Sequence, residues 1–252
     1  MNLGIKNKRV LIAGGSNGIG EELAYQFAKE GCKLTLIARR EHKLKNIIKK
    51  IGGKKKGHHF FSVDLLPVGN ATKVSKRILK EIGAHDIIIH CVGGALGVAN
   101  PFANYDDWQR VWRFNIGIAI EINNIFIKPL IKKKWGRVVH VSSISATDGD
   151  AKIAYASSKS YLNSYLRGLS KLFADKNIIF SGVMPGPLII KGKFWEKQLK
   201  KNPSKVKKYL DQHFAVKRFG KTNEICPFIL LLSSKQASYA SGTIIPIDGG
   251  KH

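Results

Sequence analysis

Short apolar runs rich in β-branched residues alternate with longer amphipathic stretches along almost the whole chain. The apolar runs are typical of strands and lie at 9–13, 33–38, 58–63, 86–91, 137–141, 178–184 and 243–247. Helical patterns lie between them at 18–29, 41–50, 68–82, 105–128, 154–174 and 223–232. Unbroken apolar runs are typical of parallel strands that are covered on both faces. The alternation therefore predicts an α/β fold, a doubly wound, seven-stranded parallel sheet with helices on both faces.

We expect residues 1–252 to form a single domain, because no linker, repeat or second core interrupts this alternation. No apolar run approaches the ~20 residues of a membrane-spanning helix, and the first residues lack a signal-peptide pattern. The three cysteines are widely spaced and fit neither a disulfide framework nor a zinc site. We therefore expect a cytoplasmic protein with no membrane partner and no bound metal.

The chain is strongly basic, with 43 Lys and Arg against 17 Asp and Glu, a net charge of +26 and a pI near 10.1. Such a charge either recruits an anionic partner or is spread over solvated helices. Lysines recur in almost every segment, which favours the second interpretation for most of the charge. We do not expect a nucleic-acid partner.

A glycine-rich turn follows the first strand directly, in the stretch AGGSNGIGEELA. Its position between a strand and a helix is typical of a dinucleotide site, where glycines allow close approach of the backbone to a pyrophosphate at the helix N-terminus. The predicted cofactor contacts in this turn are Gly14, Ser16, Asn17, Gly18, Ile19 and Gly20.

The residues after the second and third strands indicate which dinucleotide is bound. A site selective for NAD would place an acidic residue after the second strand, but the chain has Arg39 and Arg40 there. Because a guanidinium can bind a 2′-phosphate with two hydrogen bonds, we expect NADP as the cofactor. Asp64, after the third strand, is placed to accept from the adenine amino group with Leu65 packed nearby, although Asp in this position is also a common helix cap.

Tyr155 and Lys159 lie one helical turn apart in the stretch YASSK and therefore share a helix face. Asn115 lies inside a long helical segment, Ser143 closes the fifth strand, and Pro185–Gly186 follows the sixth. Together with the glycine-rich turn, these motifs make the sequence resemble the short-chain dehydrogenase/reductase family in its single-domain form. The resemblance covers nearly the whole chain, including the tail GTIIPIDGG. It implies a Rossmann fold.

The resemblance implies transfer of a hydride between NADP(H) and a carbonyl or secondary alcohol, with Tyr155 as general acid and base. Ser143 would hydrogen-bond the substrate oxygen, and Lys159 would hold the nicotinamide ribose. Asn115 would hold a water that links Lys159 to solvent. A nearby ammonium and the nicotinamide ribose should together favour the phenolate and so lower the pKa of the phenol from about 10. Further cofactor contacts implied by the family are Cys91, Gly93, Pro185, Gly186 and Leu188.

The chain departs from the family pattern at several positions. Ala13 replaces a usual threonine, the run 90–93 reads His-Cys-Val-Gly where the family has Asn-Asn-Ala-Gly, and Ile190 replaces a threonine that commonly contacts the carboxamide. Ser143 is one residue closer to Tyr155 than is usual, which leaves Ser142 as a rival. None of these changes removes a proton-transfer group.

The family's substrate lid corresponds to residues 187–215. Residues 191–208 contain eight lysines and one glutamate, which favours an anionic substrate or an acidic carrier protein, unless these lysines only face water. We expect a small carbonyl or alcohol substrate, sugar-derived or nucleotide-linked, with a 3-oxoacyl thioester on acyl carrier protein as the alternative. A second alternative is a non-enzymatic, NADP-responsive regulatory or nucleic-acid-binding protein. The family also implies a homo-oligomer, a dimer or tetramer.

Overall fold

The computed structural model describes residues 1–149 and 151–251 and contains one parallel sheet of seven strands in the order β3-β2-β1-β4-β5-β6-β7. The strands are β1 Arg9–Ala13, β2 Lys33–Ala38, β3 His59–Ser62, β4 Ile87–His90, β5 Gly136–Val141, β6 Ile178–Pro185 and β7 Ile244–Ile247. All seven predicted strands are present, with ends shifted by one residue in β3 to β7. The predicted doubly wound Rossmann fold is confirmed.

Ten α-helices connect these strands. They are α1 Gly18–Lys29, α2 Glu41–Lys50, α3 Asn70–Glu81, α4 Tyr105–Trp112, α5 Ile118–Lys133, α6 Ser145–Asp148, α7 Ile153–Phe173, α8 Phe194–Lys201, α9 Pro203–His213 and α10 Thr222–Leu232, counted within the described residues. The helical pattern predicted for 105–128 is α4 and α5 joined by a π-helical turn, Arg113–Gly117, and it continues to residue 133.

The central strands are buried on both faces because their apolar residues alternate between two cores. In β1, Val10 and Ile12 face one core with α1, α2 and α10. Leu11 and Ala13 face the other core with α3, α5 and α7. Strands with two buried faces therefore appear in the sequence as continuous apolar runs.

The helical stretch from residue 105 to 133 is long and apolar enough, by length and composition, to cross a membrane. Half of its most apolar window is buried inside the protein, and Ile118, Ile122 and Phe126 belong to the second core. A central helix of a packed α/β domain has the same properties, so this stretch is weak evidence for a membrane segment.

The lid, residues 187–215, contains α8 and α9 and shares a small hydrophobic cluster with Ile144 and Phe219. Val206 and Leu210 pack there with Phe214 and Phe219, and Trp195 stacks on Tyr209 with ring centroids 4.9 Å apart. This cluster anchors the lid beside the carboxyl ends of the strands.

Candidate active site

The glycine-rich turn lies at the carboxyl end of β1 and leaves space that side chains would fill. Gly14 has φ +91°, and its amide donates to Ile37 O at 2.8 Å. A Cβ at Gly14 would lie 3.0 Å from the Cys91 backbone, and a Cβ at Gly20 would collide with the Gly14 carbonyl. Because no side chain projects from these glycines, a dinucleotide pyrophosphate can approach the backbone of the turn at the N-terminus of α1.

The two arginines after β2 lie at the same pocket but make different contacts. The Arg39 guanidinium is 4.0 Å from the Asp64 carboxylate, and both side chains are exposed. Arg40 donates to the Ser16 carbonyl at 3.3 Å and approaches the Ser16 hydroxyl at 3.4 Å. Asp64 also accepts from the Leu66 amide at 3.0 Å. The pocket therefore has a cationic rim.

Two adjoining pockets contain nearly all the predicted contacts. The first, of about 380 Å³, is lined by Gly14, Ser16, Asn17, Gly18, Ile19, Gly20, Arg39, Arg40, Asp64, Leu65, Cys91 and Gly93. The second, of about 930 Å³, is lined by Ser143, Tyr155, Lys159, Pro185, Gly186 and Leu188. The pockets share lining residues, including Ile19, Cys91, Gly93 and Val141, so a nucleotide in the first can reach into the second.

Tyr155, Ser143 and Lys159 meet in the second pocket. The Ser143 hydroxyl is hydrogen-bonded to the Ser145 hydroxyl at 3.0 Å, and its influence on Tyr155 is to lower the pKa of the phenol. The Lys159 ammonium is buried, donates to the Val141 carbonyl at 2.9 Å and lies 5.7 Å from the centre of the Tyr155 ring. The predicted shared helix face is therefore present, and the arrangement can exchange a proton with a substrate oxygen.

The surroundings of Tyr155 within the protein shift its pKa upward, opposite to the direction expected from the ammonium and the nicotinamide ribose together. Burial raises the pKa of Tyr155 above its usual value of 10.0, and the Ser143 hydroxyl opposes this rise only in part. Burial also lowers the pKa of Lys159 to about 8. The sequence pattern predicts the neighbouring ammonium, but the desolvation that raises the pKa of Tyr155 depends on the surrounding packing.

Asn115 lies in the π-helical turn, and its side chain is hydrogen-bonded to the backbone of the loop at Gly94. Its amide oxygen accepts from the Gly94 amide at 2.9 Å, and its nitrogen donates to the carbonyls of Gly94 at 2.9 Å and Val111 at 2.8 Å. It lines neither pocket. A Cβ at Gly93 would lie 2.7 Å from Asn115 Oδ1 and 2.9 Å from Lys159 Nζ, so these two side chains converge on Gly93.

Ser142 also lines the second pocket, but its buried hydroxyl has no hydrogen-bond partner among the described residues. Ser143, by contrast, is hydrogen-bonded to Ser145 and acts on the pKa of Tyr155, whereas Ser142 does not. This geometry favours Ser143 as the residue that acts with the tyrosine.

His90, where the family pattern has an asparagine, is the last residue of β4 and belongs to the sheet. His90 stacks on His140 with centroids 4.4 Å apart and contacts Asn123 Oδ1 at 2.9 Å. Burial lowers the pKa of His90 to about 4, so the ring is neutral. Residues 1–149 and 151–251 contain no group of three His, Cys, Asp or Glu side chains arranged to hold a metal.

Several residues at the second pocket are absent from the sequence-based prediction. Lys251, at the end of the chain, forms an ion pair of 2.7 Å with Asp148, and both line the pocket. Tyr209 lines it from the lid, and Lys193 lines both pockets. The lysine-rich composition of the lid could have indicated Lys193. The contact between Lys251 and Asp148 joins residues 103 positions apart, and no local sequence pattern indicates it.

Comparison with known proteins agrees with this geometry. The chain is 28% identical to the 3-oxoacyl-(acyl-carrier-protein) reductase of Buchnera aphidicola, over 99% of each chain. It is 30% identical to human dehydrogenase/reductase SDR family member 7 over 71% of this chain and 55% of that one. The structure of L-sorbose reductase from Gluconobacter frateurii, complexed with NADPH and L-sorbose, matches with a TM-score of 0.90 at 25% identity, covering 99% and 98% of the two chains.

The family model for short chain dehydrogenases matches residues 8–199, most of the chain. With the fold and the arrangement of Tyr155, Lys159 and Ser143, this match shows that the chain belongs to the short-chain dehydrogenase/reductase family of nicotinamide-dependent oxidoreductases.

Proposed function

We propose that the protein is an NADPH-dependent carbonyl reductase with Tyr155 as its general acid. One observation carries this proposal. The polar groups of Tyr155, Ser143 and Lys159 line a pocket that adjoins the glycine-rich nucleotide pocket. A substrate carbonyl can therefore lie between the tyrosine hydroxyl and the nicotinamide end of a bound dinucleotide.

NADPH, when bound, supplies a hydride to the substrate carbonyl carbon. Ser143 donates a hydrogen bond to the carbonyl oxygen, and Tyr155 transfers its proton to that oxygen, so that the product is an alcohol. Lys159 holds the ribose hydroxyls. Its ammonium also stabilises the phenolate that remains when Tyr155 has given up its proton. Because burial raises the pKa of Tyr155, the phenol keeps its proton at neutral pH, which suits reduction.

Asn115 acts on this reaction through the backbone. It fixes the loop at Gly94 beside Lys159, and a water held near it would link the ammonium to solvent. We keep this residue as a positioning group in the proposed site.

The cofactor preference rests on the cationic rim formed by Arg39 and Arg40. A guanidinium suits a 2′-phosphate, whereas a ribose 2′-hydroxyl favours an acidic partner. L-sorbose reductase, a similar structure, holds NADPH. Titration of the purified protein with NADPH and NADH, followed by fluorescence, tests the preference. Equal affinity for the two dinucleotides would refute it.

For the substrate we propose a sugar-derived or nucleotide-linked ketone. The pocket of about 930 Å³ has the charged pair Asp148 and Lys251 as well as Lys152 and Lys193, so it suits a polar, anionic molecule. The second candidate is a 3-oxoacyl thioester on acyl carrier protein, which is favoured by the named Buchnera relative and by the basic lid. Values of kcat/KM for L-sorbose, a phosphorylated ketose and an acetoacetyl thioester distinguish the two candidates.

We propose a cytoplasmic homo-oligomer, a dimer or tetramer. Trp112 and Tyr161 form an edge-to-face pair on neighbouring helices and remain 37% and 49% exposed, which supports self-association. All three cysteines are free thiols, which supports the cytoplasmic location. A regulatory or nucleic-acid-binding role is disfavoured by the complete proton-transfer set. DNA retention that disappears at moderate salt would show only counterion release.

Tyr155→Phe is the decisive variant, because it removes the proton donor while keeping the ring. We expect at least a ~10³-fold loss of kcat with nearly unchanged NADPH affinity. Tyr161→Phe, on the same helix but half exposed, is the matched control and should retain full turnover. Turnover retained by Tyr155→Phe would overturn the assignment.

A further inference from the structure

The first residues of the lid lie directly on the glycine-rich turn. The Ile190 side chain would touch a Cβ at Gly18 at 3.1 Å, and the Lys193 amide donates to the Ile190 carbonyl at 3.0 Å. Lys193 immediately precedes α8 and lines both the nucleotide pocket and the substrate pocket. Its side chain therefore stands where the two pockets join.

Lys193 belongs to a cluster of four cations, of which Lys193, Arg39 and Arg40 line the nucleotide pocket and Lys43 does not. Arg39, Arg40 and Lys43 act on it electrostatically, and with burial they lower the pKa of its ammonium. In the part of the chain that the structure describes, Asp64 is the only carboxylate in ion-pair distance of these four groups, and it faces Arg39 at 4.0 Å. The cluster therefore carries unbalanced positive charge.

We propose that Lys193 is a cofactor-binding residue of the lid, whose ammonium binds the 2′-phosphate of NADP together with Arg39 and Arg40. This inference rests on the proposed NADPH-dependent activity and extends it to a residue outside the glycine-rich turn and β2. A phosphate dianion at the rim would relieve the mutual repulsion of the cations and make charge-assisted hydrogen bonds with them.

The same contact couples the cofactor to the substrate lid. Because Lys193 lies at the start of α8, binding of its ammonium to the 2′-phosphate holds this end of the lid against the nucleotide pocket. NADH, which lacks the 2′-phosphate, does not provide this anchor. NADPH should therefore order the lid more than NADH does.

Lys193→Gln removes the charge from the rim, and Lys197→Gln is the matched control, since Lys197 is exposed one turn later on α8 and lines neither pocket. By fluorescence titration, we expect Lys193→Gln to weaken NADPH binding about tenfold. NADH affinity should change less than about threefold, and Lys193→Arg should restore most of the loss. An NADPH affinity equal to that of Lys197→Gln would overturn the proposal.

Competition with 2′,5′-ADP and with ADP identifies the phosphate. A loss confined to 2′,5′-ADP supports the 2′-phosphate contact, whereas equal losses for both probes refute it, because they would place Lys193 at the pyrophosphate. Failure of the wild-type protein to bind NADPH would instead refute the underlying function, so the two failures are distinguishable.

Limited trypsin digestion tests the coupling to the lid without any turnover. The lysine-rich segment 191–208 offers eight lysines as cleavage sites. Saturating NADPH should slow cleavage of this segment in the wild-type protein and in Lys197→Gln, but not in Lys193→Gln. Equal protection of all three proteins by NADPH would contradict the coupling.

Discussion

Replacing Gly93 with alanine tests whether the convergence of Asn115 and Lys159 supports the proposed reaction. The new Cβ would lie 2.7 Å from Asn115 Oδ1 and 2.9 Å from Lys159 Nζ. To reach an ordinary contact of 3.4 Å, each of these atoms must withdraw by about 0.5–0.7 Å. Neither is free to do so, because Asn115 makes three hydrogen bonds and Lys159 is tied to the Val141 carbonyl.

The size of the effect follows from these contacts. A misplacement of 1 Å in an active site can reduce turnover about 10²-fold, so we expect kcat to fall about 10- to 100-fold. Weakening one or two buried hydrogen bonds should reduce the free energy of unfolding by about 1–3 kcal/mol. For a domain of this size, each kcal/mol lowers Tm by about 2–4 °C.

Turnover and thermal unfolding of Gly93→Ala should be measured beside Gly168→Ala. Gly168 lies in α7, the helix that carries Tyr155 and Lys159, and a Cβ there would meet no atom within 4 Å. This control should keep full activity and gain about 0.5–1 kcal/mol, because alanine favours helix more than glycine does. Wild-type kcat and Tm in Gly93→Ala would refute the reasoning.

Three further predictions concern pH and stability. Burial lowers the pKa of Lys159 to about 8, so kcat/KM for reduction should fall as the pH rises through that value, and a pH–rate profile without this decline would contradict a role for the ammonium. The unfolded chain keeps this proton up to about pH 10.4. Between about pH 8 and that value the unfolded state binds more protons than the folded state, so the Lys159 contribution to the free energy of unfolding should increase with pH. This increase should be missing from denaturation curves of Lys159→Met. The Glu121 carboxylate pairs with Arg113 at 2.9 Å and accepts from the Gly69 and Thr72 amides; Glu121→Gln should therefore cost about 2–4 kcal/mol in urea denaturation at pH 7. Burial raises the pKa of Glu121, but these hydrogen bonds and Arg113 outweigh burial and leave the pKa lowered. The Glu121 contribution to the free energy of unfolding is therefore complete above about pH 4.3 and is lost as the pH falls through the lower folded pKa. A loss of stability in Glu121→Gln that does not depend on pH would contradict this account.

The local pattern was sufficient to predict the sheet and the glycine-rich turn after β1. Strands such as β1 are buried on both faces, so their apolar runs are visible without any tertiary information. The glycines at 14, 18 and 20 are required by a turn within one stretch of chain, and Tyr155 and Lys159 are related by a single helical turn. Each of these features depends on neighbours a few residues away, and the sequence displays them directly.

What the sequence alone determined was therefore the fold, the family resemblance and the types of residues at the site. Only the tertiary structure decided how those residues act on one another. It placed Asn115 on the Gly94 backbone, brought Lys251 to Asp148, and put Lys193 beside Arg39 and Arg40. It also raised the pKa of Tyr155, where the motif alone predicts a lower one. The physical reason is that desolvation and long-range contacts depend on every segment packed around a group, whereas turns and strands depend mainly on local chain geometry.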